Sequence, residues 1–237
     1  MYFNITKRED GSVNLCPVKS LLLQSDASAE AEEGDRRVLQ EQCKHISTIF
    51  PYFDRIDLVC ASPIRRAIQT ALITTEPYLQ SGTHKILALP LAQEATDKAA
   101  NTPSTLTQLK QEFGDRVDWR RCMDVYVDYD SNAGTFAPDA KSLRARALEL
   151  RRFLRDRDEK EIVVLLHGDF LHYVTGDLHE DGSQAKGDWE NTEFRSYRFF
   201  PEGSEDATLK ETEESVGMRN AKGGGEHINL GRGKRII

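Results

Sequence analysis

The clearest hydrophobic pattern in the chain is a short apolar run, Ile162 to Leu166, that ends at His167. Consecutive apolar residues bounded by polar ones predict a strand that is buried on both faces. The segment "DRIDLVCAS" predicts a second buried strand that ends at Ser62, and "HKILALPLAQE" predicts a third at about 85–89. Such short runs are typical of the central strands of a parallel sheet.

Helical periodicity is found between these apolar runs. Apolar residues recur at intervals of three and four over 36–50, 106–113 and about 138–157, which predicts three amphipathic helices. The segment "PIRRAIQTALITTEPYL" predicts a further helix, with Ser62 as its N-cap and Pro63 at its first position. The buried stripe of the longest helix is predicted to consist of Leu143, Ala147, Leu150 and Leu154.

The alternation of strands and helices predicts an α/β fold of three layers, α/β/α, with a mainly parallel central sheet. The segment "EFRSYRFF", 193–200, alternates and predicts a last strand at the edge of the sheet. We expect 1–34 to be irregular, 35–203 to form the α/β domain and 204–237 to be a disordered tail. No central strand is expected to form within the apolar stretch 15–24.

Composition and charge narrow the class of protein. The 237 residues are 38% hydrophobic and 30% charged, as in a soluble globular protein. The 39 acidic and 32 basic residues give a net charge of −7, which argues against binding of nucleic acid or a membrane surface. The four cysteines lack CxxC spacing, so free thiols, no metal site and a cytoplasmic protein are expected. The basic C-terminal segment is interpreted as an inert tail rather than an RNA-contacting or nuclear-import segment.

Several polar residues follow the predicted strands directly. In a parallel sheet, ligands bind outside the carboxyl ends of the strands. His167 and Ser62 each follow a strand, and Glu94 follows the third. Gly168 lets a ligand approach the backbone at the start of the next helix, whose N–H groups point to the same place. Considered singly, a buried histidine is more often structural, and a loop glutamate is more often an ordinary surface residue.

Two adjacent arginines, Arg65 and Arg66, lie in the first turn of a predicted helix. Positive charge at a helix N-terminus is unfavourable unless a negative group balances it. A phosphate bound through bidentate hydrogen bonds would do so. Adjacent residues face about 100° apart on a helix, so only one of the two arginines is expected to point into a cleft. The plain alternative is that both point to water.

These segments together resemble the histidine phosphatase superfamily, which includes the phosphoglycerate-mutase-like proteins. "SPIRRAIQTA" is similar to the family's S-x-L-x-R-A-x-x-T-A segment, "VVLLHGDFLHYV" to the segment of its second catalytic histidine, and "QEQCKHISTIFP" to its first helix. "DWENTEFRSYRF" resembles the closing segment of fungal members, so the resemblance covers about 35–200. It implies that Arg66 binds phosphate, that His167 stabilises the transferring phosphoryl group and that Glu94 is the acid.

The resemblance lacks one part, the R-H-G motif whose histidine accepts the phosphoryl group in the family. The sequence contains no R-H-G, and its first histidine, His45, lies in the middle of a predicted helix. "MYFNI" matches only the asparagine that follows the motif, so Asn4 joins Ser62 and Gly168 as a predicted phosphate-site residue. Either the start is misassigned or an exon is lost, or the protein is a divergent member without the nucleophile. The first explanation is favoured because the other three catalytic residues are present.

The predicted function is that of a phosphomonoesterase acting on a small phosphorylated metabolite. This chain is expected to be inactive because it lacks the nucleophilic histidine. A phosphatase is favoured over a mutase because nothing marks a dedicated phosphoglycerate pocket. Two alternatives stay open: a non-catalytic anion-binding pseudoenzyme, and a repurposed acid–base enzyme of a biosynthetic pathway. The expected partner is a small phosphorylated or anionic metabolite, with no cofactor, nucleic acid or membrane.

Overall fold

The computed structural model describes residues 4–6, 12–17, 41, 55–80, 82–179, 181–185, 189, 194–201 and 203–222. The strands in these ranges are β1 (Asn4–Thr6), β2 (Ser12–Pro17), β3 (Leu58–Ala61), β4 (Ile86–Ala88), β5 (Val117–Asp118), β6 (Glu161–Leu166), β7 (Arg195–Phe199) and β8 (Leu209–Glu211). The α-helices are α1 (Arg65–Thr74), α2 (Glu76–Leu79), α3 (Leu106–Phe113), α4 (Ala140–Arg155), α5 (Gly168–Thr175) and α6 (Glu213–Lys222). None of these helices is both long and apolar enough to cross a bilayer.

The strands form one sheet in the order β5-β4-β3-β6-β2-β7-β8, and β1 pairs with β6 outside this path. The pairs from β5 through β2 are all parallel, whereas β7 is antiparallel to both β2 and β8. The predicted α/β fold with a mainly parallel central sheet is confirmed.

The centre of the sheet is covered on both faces. All six residues of β6 are buried, although their side chains alternate between the two faces. In β3, Val59, Cys60 and Ala61 are completely buried. Helix α1 packs against β3, β4 and β6, and α4 packs against α5. Burial on both faces requires a layer on each side of the sheet, as the three-layer prediction states.

The strand β2 corrects the expectation that no central strand forms near 15–24. It runs parallel to β6, with Asn14 opposite Val163, and antiparallel to β7. Without it, the facing groups of β6 and β7 would lack these ladder partners, and unpaired buried backbone groups are costly. Pro17 is the last residue of β2. There its missing N–H removes no hydrogen bond from the interior of the ladder.

The C-terminal part of the sheet also differs from the prediction. The predicted edge strand within 193–200 is β7, and it lies between β2 and β8. Strand β8 and helix α6 occupy part of the tail that the sequence predicted to be disordered. Strand β8 is stabilised by pairing with β7. With only three residues, β8 is too short to show a strand pattern in the sequence. The helix predicted over 36–50 lies outside the described residues, apart from Glu41.

The connection from β3 to α1 determines where the two adjacent arginines lie. Ser62 N–H donates to the Leu165 carbonyl at 2.9 Å, so Ser62 continues the ladder between β3 and β6. Its hydroxyl accepts from the Ile64 N–H at 3.3 Å, and Ile64 is the N-cap of α1. The prediction of Ser62 as N-cap is therefore wrong by two residues. Arg65 and Arg66 become the first two residues of the helix.

Helix α4 follows its predicted stripe. Asp139 caps its start, accepting from the Lys141 and Ser142 N–H groups at 3.0 and 3.1 Å. Leu143, Ala147, Leu150 and Leu154 are buried as predicted. The helix thereby supplies the apolar face that packs against α5.

We expect Leu150→Ala to lower the free energy of unfolding by about 2–5 kcal/mol, because it leaves a cavity at a fully buried position. Leu148→Ala makes the same chemical change at a half-buried position of the same helix and should cost clearly less. Urea unfolding of both variants measures the difference. Equal losses would show that α4 does not pack through the assigned face.

Candidate active site

Three residues singled out in the sequence converge at one edge of the sheet. Arg66 Nη2 lies 3.1 Å from His167 Nδ1, and Glu94 Oε2 lies 4.0 Å from the same nitrogen. Arg66 opens α1 after β3, His167 directly follows β6, and Glu94 follows the 3-10 turn Pro90–Ala92 after β4. Because β4, β3 and β6 are parallel neighbours, their carboxyl ends meet at the same edge.

The Arg66 guanidinium is held by the loop that follows Glu94. Its Nη1 donates to the Ala100 carbonyl, and its Nη2 donates to Asn101 Oδ1 at 2.9 Å. Its Nε is buried and has no hydrogen-bond partner among the described residues. Burial lowers the pKa of Arg66, and the negative charge of Glu94 opposes this. Arg65 is exposed and bonds Glu112 at 2.5 Å, so only one of the two arginines reaches the site, as expected.

The contact between Arg66 and His167 defines the protonation of the imidazole. A guanidinium has only donors, so His167 Nδ1 must be the acceptor of this hydrogen bond. In this arrangement Nδ1 therefore carries no proton. His167 is completely buried.

The two carboxyl oxygens of Glu94 have different surroundings. Oε1 accepts from the Ala95 N–H at 2.8 Å and from the Phe170 N–H at 3.2 Å. Oε2 faces His167, and the side chain is only 8% exposed. Burial raises the pKa of Glu94 to about 7, against the hydrogen bond from Ala95. A carboxyl with a pKa near neutrality can give up a proton and take it back at physiological pH, as general acid–base catalysis requires.

Of the three remaining predicted phosphate-site residues, Ser62 and Gly168 lie at the carboxyl edge of the sheet and Asn4 does not. Ser62 and Gly168 are both buried; Ser62 directly follows β3, and Gly168 follows His167 after the end of β6. Asn4 lies opposite Val163 in the antiparallel pair of β1 and β6. Val163 precedes His167 by four residues, which is about 13 Å along a strand. The backbone therefore does not bring Asn4 to the carboxyl edge, because β1 pairs with the amino-terminal half of β6.

Two polar residues at the site had no prediction. Asn101 holds Arg66 and in turn donates from Nδ2 to Thr96 Oγ1 at 2.5 Å, but a single amide in a polar loop has no sequence signal. Arg146 donates from Nη2 to the carbonyls of Gln93 and Glu94 at 3.0 and 2.8 Å. A signal did exist for Arg146, since its position falls on the buried stripe of α4, three residues after Leu143.

Other buried reactive groups lie apart from this cluster. His172 Nδ1 lies 2.8 Å from Asp177 Oδ1, and the Asp177 N–H donates to the His172 carbonyl, which ties down the end of α5. Cys60 and Cys122 are buried free thiols whose pKa is raised by burial, so neither is suited to act as a nucleophile. Within the described ranges, no group of three His, Cys, Asp or Glu side chains could hold a metal ion.

Comparison with known proteins gives one relative by sequence. No protein-family model matches the chain. A probable phosphatase of Schizosaccharomyces pombe is 28% identical over 137 residues, covering 58% of this chain and 61% of the relative. By sequence the chain is therefore similar to a probable phosphatase over 58% of its length. The resemblance seen in the sequence is confirmed at this level.

Two solved phosphatase structures align with most of the chain. A mycobacterial glucosyl-3-phosphoglycerate phosphatase is 14% identical, with a TM-score of 0.48 over 85% of this chain and 97% of its own. The alpha-ribazole phosphatase of Shigella flexneri is 13% identical, with a TM-score of 0.46 over 84% of this chain and 93% of its own.

The pKa of Glu94 predicts a pH dependence of stability. Burial raises the folded-state pKa of this carboxyl from 4.5 to about 7, so the folded protein binds the proton more tightly than the unfolded chain. Its contribution to stability is complete below pH 4.5 and is lost as the pH rises through about 7. The difference is on the order of 3 kcal/mol.

We therefore expect the free energy of unfolding to fall more steeply between pH 4.5 and 8 in the wild type than in Glu94→Gln, which keeps the shape of the side chain but cannot ionise. Urea unfolding across this range measures it. Glu76→Gln, at an exposed position on α2, is the control and should retain the wild-type slope. Parallel curves for the wild type and Glu94→Gln would contradict the assignment.

Proposed function

We propose that this chain is a phosphoglycerate-mutase-like protein of the phosphomonoesterase type, with Arg66 and His167 binding a small phosphorylated metabolite, Glu94 as proton donor and no nucleophilic R-H-G histidine in its sequence. The proposal rests above all on the convergence of an arginine, a histidine and a carboxyl at the carboxyl edge of the sheet. The similarity to a probable phosphatase of fission yeast supports it. The chain spans about 61% of the length of that relative.

The charges of the site favour a phosphoryl group over a neutral ligand. The buried Nε of Arg66 has no hydrogen-bond partner in the described part of the chain, so a phosphoryl oxygen there would satisfy it. A dianion next to His167 would also favour protonation of the imidazole, which adds a second positive charge. Gly168 begins α5, whose N-terminal N–H groups favour the same negative ligand.

In the proposed reaction, each of the three groups has one chemical role. The bond between phosphorus and the leaving alcohol oxygen breaks, and Glu94 Oε2 supplies the proton to that oxygen. Arg66 and His167 neutralise the phosphoryl oxygens while charge develops on them. In the family, the phosphoryl group passes to a nitrogen of the R-H-G histidine and then to water, which Glu94 deprotonates.

We propose that this chain lacks the nucleophile for this covalent step. His84 stacks on Tyr78, with ring centroids 4.2 Å apart, and His172 pairs with Asp177. The sequence has no R-H-G motif. This observation favours a second candidate function, a non-catalytic protein that binds an anion with the same residues. The two candidates share the binding step and differ only in the covalent one.

The compartment and the ligand class belong to the same proposal. The net charge of −7 gives an anionic ligand no overall attraction, so a local cluster such as Arg66 and His167 must supply it. The buried free thiols of Cys60 and Cys122 suit a reducing compartment such as the cytoplasm.

We expect Arg66→Ala to weaken the binding of inorganic phosphate by roughly 10- to 100-fold, the equivalent of losing a charged hydrogen bond. Arg65→Ala removes the same charge from the neighbouring exposed residue and should change the affinity less than about twofold. Isothermal titration calorimetry measures both constants. If the two variants bind equally well, Arg66 is not the phosphate-binding arginine.

The 237-residue polypeptide should show negligible turnover of phosphomonoesters, because its sequence has no counterpart of the R-H-G histidine that accepts the phosphoryl group in the family. Rapid quench in alkaline SDS after mixing with a ³²P-labelled phosphomonoester, followed by detection of phosphohistidine, tests this directly, because the N–P bond of phosphohistidine is stable to alkali and labile to acid. The expected result is no labelled protein. A trapped phosphohistidine would show that a histidine of this chain acts as nucleophile, and would remove the anion-binding candidate.

A further inference from the structure

One arginine of α4 is buried, unlike the others on the helix. Arg146 is only 1% exposed. The four other arginines of α4 are exposed or half-buried, and they are Arg144, Arg151, Arg152 and Arg155. Arginine is rarely buried completely unless it has a partner that compensates for its charge. The position of Arg146 therefore requires an explanation.

Arg146 contacts Glu94 and residues next to it. Its Nη2 donates to the backbone carbonyls of Gln93 and Glu94. Its guanidinium carbon lies 4.2 Å from the centroid of the Phe170 ring. The Phe170 N–H in turn donates to Glu94 Oε1. One side chain thus contacts both the backbone of the carboxyl-bearing residue and the helix turn that binds its carboxyl.

Burying a charged guanidinium in the core costs free energy. Burial lowers the pKa of Arg146 to about 10, and the negative charge of Glu94 opposes the shift. The residue stays charged at neutral pH while it bonds only carbonyl oxygens among the described residues. A well-packed apolar side chain of similar volume is often as stable or more stable at such a position. Packing alone does not account for an arginine here, whereas the neighbouring Glu94 does.

We propose that Arg146 is a positioning residue that holds the Glu94 carboxyl against His167 and supplies a positive charge behind it. The guanidinium fixes the backbone at Glu94, and through Phe170 it fixes the first turn of α5. With Oε1 bound to two N–H groups, Oε2 is the oxygen left facing the imidazole. The inference rests on the proposed role of Glu94 as proton donor.

The test measures the titration of Glu94 in the whole chain. The ¹³C signal of its side-chain carboxyl is assigned by its loss in Glu94→Gln, and its midpoint is followed with pH. Arg146→Met removes the charge at similar volume and should raise the midpoint by about one pH unit, the low end of the effect of a nearby opposite charge. Arg146→Lys restores the charge and should recover at least half of that shift.

Two controls separate positioning from structure. Leu150→Ala destabilises the same helix without touching Glu94, and Arg144→Gln removes an exposed charge from it. Both should leave the Glu94 midpoint unchanged. Should Arg146→Met fail to fold, Arg146→Gln, which keeps amide donors for the two carbonyls, gives the same readout.

An unchanged Glu94 midpoint in a folded Met or Gln variant would overturn the proposal, as would equal shifts in the Lys and Met variants. Inorganic phosphate titrations of the wild type and Arg66→Ala distinguish this failure from failure of the proposed function. If phosphate binding depends on Arg66 but the Glu94 midpoint does not change in the Arg146 variants, the proposed function stands and the role of Arg146 is wrong. If the Glu94 midpoint shifts in the Arg146 variants but phosphate does not bind, the role of Arg146 stands and the proposed function is wrong.

Discussion

The parallel pairing of β3 with β6 is the constraint on which the site depends. The ladder continues one residue beyond β3, where the Ser62 N–H donates to the carbonyl of Leu165 in β6. It therefore sets the end of β3 and the end of β6 level with each other. Arg66 and His167 are 101 residues apart in sequence, and this register is what brings their side chains into contact.

The chemistry of the site arises from burying charges that would be ordinary in water. Arg66, Arg146, His167 and Glu94 are all wholly or largely removed from solvent. Burial moves the pKa of the carboxyl up and the pKa values of the guanidinium groups down, so the groups become closer in proton affinity. Carboxyl and guanidinium groups together limit the cost, since each favours the charged form of the other.

The loops after β4 do more than connect elements. The segment from Gln93 to Asn101 carries the Glu94 carboxyl and accepts hydrogen bonds from the guanidinium groups of Arg66 and Arg146. The acceptors are backbone carbonyls, which any loop sequence offers, and the side-chain amide of Asn101. A polar segment without a recognisable motif can therefore hold both guanidinium groups in place.

The sequence alone determined the elements with strong periodicity and the residues that end them. The apolar run of β6 and the stripe of α4 predicted the core, and the strand ends predicted the meeting of Arg66, His167 and Glu94. The roles of these three residues stay a prediction. Only the tertiary structure decided the rest: that β2 enters the sheet, that β7 lies inside it and that Arg146 is buried against the backbone of Glu94. These outcomes depend on partners distant in the chain, and local patterns of polarity carry no information about which partner a ladder or a buried charge will find.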